Sequence, residues 1–81
     1  MLTCTTDKLE VLAKDDIYLF DSPDGKQYQC FSIRIKDGIY PLKFATSEQV
    51  YNFVEPGKSY SFDVSLNFYK GKCKPKFTAV L

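Results

Sequence analysis

The stretch YSFDVSLNFYKGKCKPKFTAVL, residues 60–81, decides the fold because it has the pattern of a long β-hairpin. In its first arm, apolar residues from Tyr60 to Phe68 alternate with polar ones, which is the period of a strand with one buried face. Lys70-Gly71-Lys72 supplies the turn between the arms. The second arm, residues 73–81, alternates less cleanly but keeps apolar residues on one side.

The tip of this hairpin is strongly basic. Four lysines lie within seven residues, beside Tyr69: Lys70, Lys72, Lys74 and Lys76. Residues 1–57 carry six Lys or Arg and nine Asp or Glu, whereas residues 58–81 carry five Lys and one Asp. This asymmetry can mark a polyanion-binding edge. The alternative is a solvated edge that discourages strand-to-strand aggregation, and the pattern leaves open which role Lys74 and Lys76 have.

Two further strands are predicted over 28–36 and 39–45, joined by a type I′ turn at Asp37-Gly38. This turn pairs Lys36 with Ile39 and thereby sets the register. The register places the apolar residues on one core face: Phe31, Ile33, Ile35, Tyr40, Leu42 and Phe44. The opposite face carries three cations and an aromatic residue: Arg34, Lys36, Lys43 and Tyr28.

The first strand is predicted over 8–20, with a bulge or bend at Asp15-Asp16. A helix over 7–14 is the competing interpretation. Residues 1–7 are expected to be a loose start, and residues 21–27 have the composition of a turn. Aromatic residues are also expected in the core from alternation, with Tyr18 left open: Phe20, Phe31, Tyr40, Phe44, Phe62 and Phe77.

A short helix is predicted after the third strand. Thr46-Ser47-Glu48-Gln49 has the spacing of a capping box, with Thr46 as the N-cap. Val50, Phe53 and Val54 share one helical face. The helix ends before Glu55-Pro56-Gly57, because proline restricts the residue before it.

The predicted order is therefore strand, strand, strand, short helix, strand, strand. It indicates an all-β, five-stranded OB-type Greek-key barrel with one short helix between strands 3 and 4, and we expect residues 1–81 to be a single OB-fold domain. An SH3-like barrel is the alternative. Ligands of OB barrels cross strands two and three, between the first–second and fourth–fifth loops. The cations and exposed aromatic residues predicted there are Lys26, Tyr28, Arg34, Lys36, Lys43, Tyr69, Lys70 and Lys72.

Composition argues against several classes of function. Without histidine or a C-x-x-C pair, neither a zinc site nor histidine-based catalysis is expected, so we predict no enzyme, cofactor or small-molecule substrate. Three cysteines and the lack of a signal peptide predict free thiols in a reducing cytoplasm. No apolar run reaches the roughly 18 residues of a membrane span. A domain of this size buries only about 60–65% of its unfolded surface, so we expect oligomerisation to add stability.

Four short motifs follow one another along the chain: Gly25-Lys26-x-Tyr28, Tyr40-Pro41-Leu42, Pro56-Gly57-x-x-Tyr60 and Phe68-x-x-Gly71. In order and spacing they resemble the gene V-type single-stranded DNA-binding proteins of filamentous phages. The resemblance covers residues 24–81. These relatives are small dimeric OB-fold proteins. The resemblance therefore implies a homodimer, encoded by a phage or mobile element, that coats single-stranded DNA in the host cytoplasm during DNA replication, without sequence specificity.

The resemblance also implies roles for individual residues. Tyr28 would stack on bases from a DNA-binding wing, and Lys26 would meet phosphate. In the family an aromatic residue near the hairpin tip contacts DNA on the neighbouring subunit; Cys73 occupies that position here, and Tyr69 can substitute from across the turn. The family's arginines before the wing are replaced by acidic residues, so we expect modest or strongly salt-dependent affinity. These residues are Asp15, Asp16, Asp21 and Asp24.

The residues alone leave other interpretations open. Tyr28 can be a rim tyrosine packed on its loop, and the cations of the second and third strands can be an ordinary solvated face. A small protein–protein interaction or inhibitor module would use the acidic first loop and exposed tyrosines. An RNA-binding barrel of the cold-shock kind is the third hypothesis, although the chain lacks the aromatic-rich, glycine-spaced strand pair of those proteins.

Overall fold

A computed structural model describes residues 2–81, which form eight β-strands and one helix. In chain order these are β1 Leu2–Thr5, β2 Leu9–Lys14, β3 Tyr18–Asp21, β4 Gln27–Asp37, β5 Tyr40–Thr46, α1 Glu48–Phe53, β6 Ser59–Tyr60, β7 Phe62–Tyr69 and β8 Lys72–Val80. The five predicted strands become eight for three reasons. The first is split at residues 15–17, the fourth is split at Ser61, and an additional strand, β1, precedes them.

The strands pair in the order β1-β7-β8-β5-β4-β2-β6, with β3 paired to β4. β6 pairs with β2 and runs on through Ser61 into β7, so the sheet closes on itself. β5 and β8 pair in parallel, whereas the other neighbours pair antiparallel. The prediction of an all-β OB-type Greek-key barrel with a helix between the third and fourth strands is confirmed.

The predicted bend in the first strand is present. β2 and β3 both pair with β4, and the backbone N–H of Asp15 donates to the Ser32 carbonyl at 3.0 Å between them. The alternative helix over 7–14 is wrong, because Leu9–Lys14 is strand. The predicted loose start is also wrong over residues 2–5, which pair with β7 from Leu66 to Asp63; its first residue, Met1, lies outside the described residues.

The core is a cluster of eight side chains contributed by the strands and the helix: Val11, Ile33, Ile35, Val50, Val54, Phe62, Val64 and Phe77. At its centre the rings of Phe62 and Phe77 stack with centroids 4.4 Å apart. Phe44 stacks on Phe77 from the other side at 4.9 Å. Because Ile33 alternates with outward-pointing neighbours along β4, the barrel wall presents its polar side chains on the opposite surface.

The β4–β5 register differs from the prediction. Asp37 pairs with Tyr40, so the turn is Gly38-Ile39 and not Asp37-Gly38. Gly38 has a φ of 60°, and Ile39 is not among the described residues with positive φ, which is the pattern of a type II′ turn. Ile33 consequently lies opposite Phe44 instead of Leu42. The observed pairing is shifted by two residues from the predicted one. Because side chains alternate with a period of two, every side chain keeps its predicted face.

Some residues predicted to be in the core are exposed. Tyr40 is 72% exposed and Phe20 is 47% exposed, and Leu42 is also exposed. Tyr40 and Leu42 have the predicted strand phase but lie near the β4–β5 turn, outside the core cluster. Phe20 lies opposite Tyr28 and shares its outward side, so its predicted place in the core is wrong. Phe31 and Phe44 are half-buried at the margin of the core.

The helix begins one residue later than predicted. Ser47 is the N-cap, and its hydroxyl accepts a hydrogen bond from the backbone N–H of Val50 at 3.3 Å. Thr46 remains in β5, held by its pairing with Phe77. Val50 and Val54 are buried as predicted, but Phe53 is exposed and contacts Tyr60 edge-on. Within residues 2–81, no helix has the length and hydrophobicity needed to cross a membrane.

Candidate functional site

Three predicted site residues lie on the outer surface of β4 and β5. Arg34 lies opposite Lys43, and Lys36 lies opposite Pro41 two pairs further along the hairpin. All three cations occupy the face opposite the buried Ile33 and Ile35. The predicted assignment of Arg34, Lys36 and Lys43 to one outward surface is thus consistent with the geometry.

This surface continues onto β8. Ala45 of β5 pairs with Lys76, so Lys76 lies on the same side of the sheet as the cations of β5. Lys74 and Lys72 follow at alternate positions, on the opposite side from the buried Phe77. We call the whole surface the cationic face, formed by Arg34, Lys36, Lys43, Lys72, Lys74 and Lys76. Lys74 and Lys76 are not among the predicted site residues, although the parallel β5–β8 pairing of an OB barrel together with the position of Phe77 indicates them.

An aromatic surface lies beside the cationic face, on the hairpin formed by β3 and the start of β4. Phe20 lies opposite Tyr28, and Tyr18 lies opposite Cys30 two residues further on. Tyr18, Phe20 and Tyr28 are 64%, 47% and 48% exposed. Alternation along β4 puts Tyr28 on the same side as Arg34. We call these three residues the aromatic wing; of them, only Tyr28 is a predicted site residue.

The loop that joins β3 to β4 is held by its own hydrogen bonds. The Ser22 N–H donates to the Lys26 carbonyl at 2.8 Å, and the Gly25 N–H donates to the Ser22 carbonyl at 3.0 Å. Hydrogen bonds with Ser22 and with the Lys26 backbone lower the pKa of Asp24. Lys26 is therefore placed at the base of an ordered loop, exposed and next to the aromatic wing.

The β7–β8 hairpin tip carries the remaining predicted residues. Lys70 and Gly71 both have positive φ, at 52° and 76°, as a two-residue type I′ turn requires. Tyr69 lies opposite Lys72, and the Lys70 Nζ lies 5.4 Å from the centroid of the Tyr69 ring. The tip thus presents an exposed aromatic ring with a cation over it.

The eight predicted site residues form two groups in the structure. Lys26, Tyr28 and the cations of β4 and β5 form one group, and the hairpin tip forms the other. The described pairing between β5 and β8 covers Ala45 to Thr46 with Lys76 to Phe77, so the two hairpins are joined at one end only. Lys74 and Lys76 lie between the two groups and connect them into one cationic face.

An acidic residue lies within the cationic face. A carboxylate oxygen of Asp15 is 3.0 Å from the Arg34 Nε, and its other oxygen is 3.5 Å from the Lys43 Nζ. Burial raises the pKa of Asp15, but hydrogen bonds with Arg34 and Lys43 and the charges of both outweigh this, so the pKa lies below its ordinary value. The sequence indicates an unfavourable acidic residue in this region, but not which cations it contacts.

The cysteines and carboxylates offer no second site. Cys4, Cys30 and Cys73 are free and exposed. Within residues 2–81, no group of three or more Cys, Asp or Glu side chains is arranged to hold a metal ion.

Comparison with known proteins gives a structural likeness. No protein-family model matches the chain, and no curated protein matches it. Among solved structures, the chain is similar to the second OB-fold domain of replication protein A from Methanococcus maripaludis. The TM-score is 0.63 at 18% sequence identity, and the alignment covers 99% of this chain and 82% of that one. At this identity the likeness shows the OB fold.

Proposed function

We propose that this protein binds single-stranded DNA without sequence specificity, by stacking bases on the aromatic wing and contacting phosphates with the cationic face. One observation carries the proposal: exposed aromatic rings and cations lie side by side on the outer surface of β3, β4, β5 and β8. In OB barrels this surface is where ligands cross the sheet. The structural neighbour is itself a domain of a replication protein, which agrees with this class of function.

The physical chemistry of a single strand matches this arrangement. Its phosphates are regularly spaced anions, and each cation that neutralises one releases a counterion. Its unpaired bases expose their faces, and each stack on an aromatic side chain contributes about 1–3 kcal/mol whatever the base. A duplex hides its base faces, so the aromatic wing would discriminate against it. The same arrangement requires no catalytic group and no cofactor.

The finer proposal is a gene V-type protein of a phage or mobile element, which coats single strands in the host cytoplasm during replication. The four motifs from Gly25 to Gly71 support it by their order and spacing. We further propose a homodimer. Exposed apolar side chains remain on the inner side of the hairpin ends, and a second copy would cover them: Tyr40, Leu42 and Phe68.

A protein–protein interaction module is the second candidate. The observation that favours it is Ile39, which is 87% exposed in the β4–β5 turn. An exposed isoleucine at a loop tip contributes nothing to phosphate contact, but together with the exposed Tyr40 and Leu42 of the same hairpin it can contact an apolar surface of a partner. Such an interaction would depend weakly on salt, which separates it from the first proposal.

The test is fluorescence anisotropy with labelled oligo-dT, a matched duplex and oligo-U, in a series of salt concentrations. We expect tight binding to oligo-dT at low salt, weaker binding to duplex, and an affinity that falls linearly with salt on logarithmic axes. With about four phosphates contacted, the slope should be near −3, since each contributes about −0.7 on single strands. Absence of binding at the lowest salt would overturn the proposal and favour the interaction module.

A further inference from the structure

Asp15 contacts three side chains of the surface that the proposed function assigns to phosphate binding. Its carboxylate lies between two of the cations that the proposed function assigns to phosphate, with Arg34 at 3.0 Å and Lys43 at 3.5 Å. The Ser32 hydroxyl donates to the same carboxylate at 3.4 Å. A phosphate of single-stranded DNA bound at this position would need the same donors.

We infer that Asp15 is an internal competitor for phosphate, which limits the affinity of the cationic face by occupying Arg34 and Lys43. The inference rests on the proposed function and adds an affinity-determining residue to it. While the carboxylate is in place, these three side chains together carry a charge of +1. A phosphate approaching them must displace the carboxylate from its partners or accept a weakened field from two cations already paired.

The backbone of Asp15 is held independently of its carboxylate. Its N–H donates to the Ser32 carbonyl at 3.0 Å, and its own carbonyl accepts a hydrogen bond from the Tyr51 hydroxyl at 2.6 Å. The bend between β2 and β3 thus has anchors that an amide side chain would leave intact. Asp15→Asn keeps the size of the side chain, removes its charge, and releases the two cations.

The neighbouring Asp16 provides a matched control. It is exposed and forms no ion pair among residues 2–81. Asp16→Asn changes the net charge by the same amount, one residue away. A difference between the two variants therefore reports the contact with Arg34 and Lys43, and not the total charge of the protein.

The experiment measures oligo-dT affinity and its salt dependence for the wild type, Asp15→Asn and Asp16→Asn. We expect Asp15→Asn to bind about three- to tenfold more tightly at low salt, with a slope steeper by about 0.7 for one additional neutralised phosphate. Asp16→Asn should change affinity by less than about twofold. Unchanged or weaker binding by a folded Asp15→Asn would overturn the inference, and weaker binding would make Asp15 a positioning residue for Arg34.

Two further measurements complete the test. Arg34→Gln should weaken binding more in the Asp15→Asn background than in the wild type, because Arg34 is free only there; an equal loss in both contradicts competition. In the wild type, carbon NMR of the Asp15 carboxyl group should show a higher pKa with oligo-dT bound, even if the variant fails to fold. If the wild type does not bind oligo-dT at all, the proposed function itself has failed. If the wild type binds but Asp15→Asn and Asp16→Asn have the same affinity for oligo-dT, only the inference has failed.

Discussion

Phe77→Ala is expected to lower the free energy of unfolding by about 4 kcal/mol, because truncation of a buried phenylalanine costs roughly 3–5 kcal/mol. Phe77 is 1% exposed and lies between the rings of Phe62 and Phe44. It also pairs with Thr46 in the parallel contact of β5 with β8, and its carbonyl accepts a hydrogen bond from the Ser47 N–H at 2.9 Å. The Phe77 side chain thus fills the centre of the core, while its backbone, which the substitution leaves in place, joins the barrel wall to the start of the helix.

Small domains have a total stability of about 5–15 kcal/mol, so this variant should be largely unfolded at moderate temperature or in little denaturant. Urea denaturation followed by circular dichroism measures the effect. Phe53→Ala is the matched control, since the same atoms are removed from a side chain that is 63% exposed and lies outside the proposed dimer contact. We expect the control to cost less than about 1 kcal/mol. Equal costs at the two positions would contradict the assignment of Phe77 to the centre of the core.

Combined replacement of Tyr18, Phe20 and Tyr28 by alanine is expected to weaken oligo-dT binding by at least about a hundredfold. Two stacked bases at about 1.5 kcal/mol each account for 3 kcal/mol, and every 1.4 kcal/mol is a factor of ten. The three residues are exposed on one side of a two-stranded hairpin, outside the core cluster. The variant should therefore remain folded, which its thermal unfolding can verify.

Leu19→Ala is the control for this prediction. Leu19 is on the same strand and similarly exposed, but it points to the opposite side of the hairpin. It should leave binding within about twofold of the wild type. Because base stacking releases no counterions from the DNA phosphates, the triple variant should retain the salt slope of the wild type. Near-normal affinity of the triple variant would show that the wing is not where bases stack.

The barrel could be predicted because its strands alternate clearly. Phe62 and Val64 are separated by a polar residue and buried as the pattern requires, and Phe77 occupies the matching position on β8. The turn at Lys70-Gly71 has the φ values that only a few residue types adopt readily. Element order and turn chemistry together indicate the OB topology, because few folds place one short helix between the third and fourth of five strands.

What could not be predicted depends on contacts distant in sequence. The alternation around Tyr40 is clear, but its exposure depends on where the barrel ends, which no local pattern records. The phase of Phe20 does not follow from the sequence, because the bend at Asp15-Asp16 interrupts the alternation before it. β1 is short and polar, and it is a strand only because β7 offers it a partner. Asp37-Gly38 and Gly38-Ile39 are both acceptable two-residue turns, and the choice between them depends on packing along the whole hairpin.

The candidate site, too, could be predicted only in part. The face of Arg34, Lys36 and Lys43 follows from alternation alone, whereas the addition of Lys74 and Lys76 follows from the β5–β8 pairing. The pairing of Asp15 with Arg34 joins residues 19 positions apart. This contact could not be predicted from the sequence, because it depends on where the bend between β2 and β3 places Asp15 in three dimensions.

The central claim is that single-stranded DNA crosses the aromatic wing and the cationic face. Its most direct test is a titration of isotope-labelled protein with oligo-dT, followed by the amide signals in proton–nitrogen NMR spectra. The proposal predicts that the largest shifts occur in β3, in β4 and β5, and in residues 72–76, while α1 changes little. Shifts centred on α1, or spectra that do not change at low salt, would contradict it.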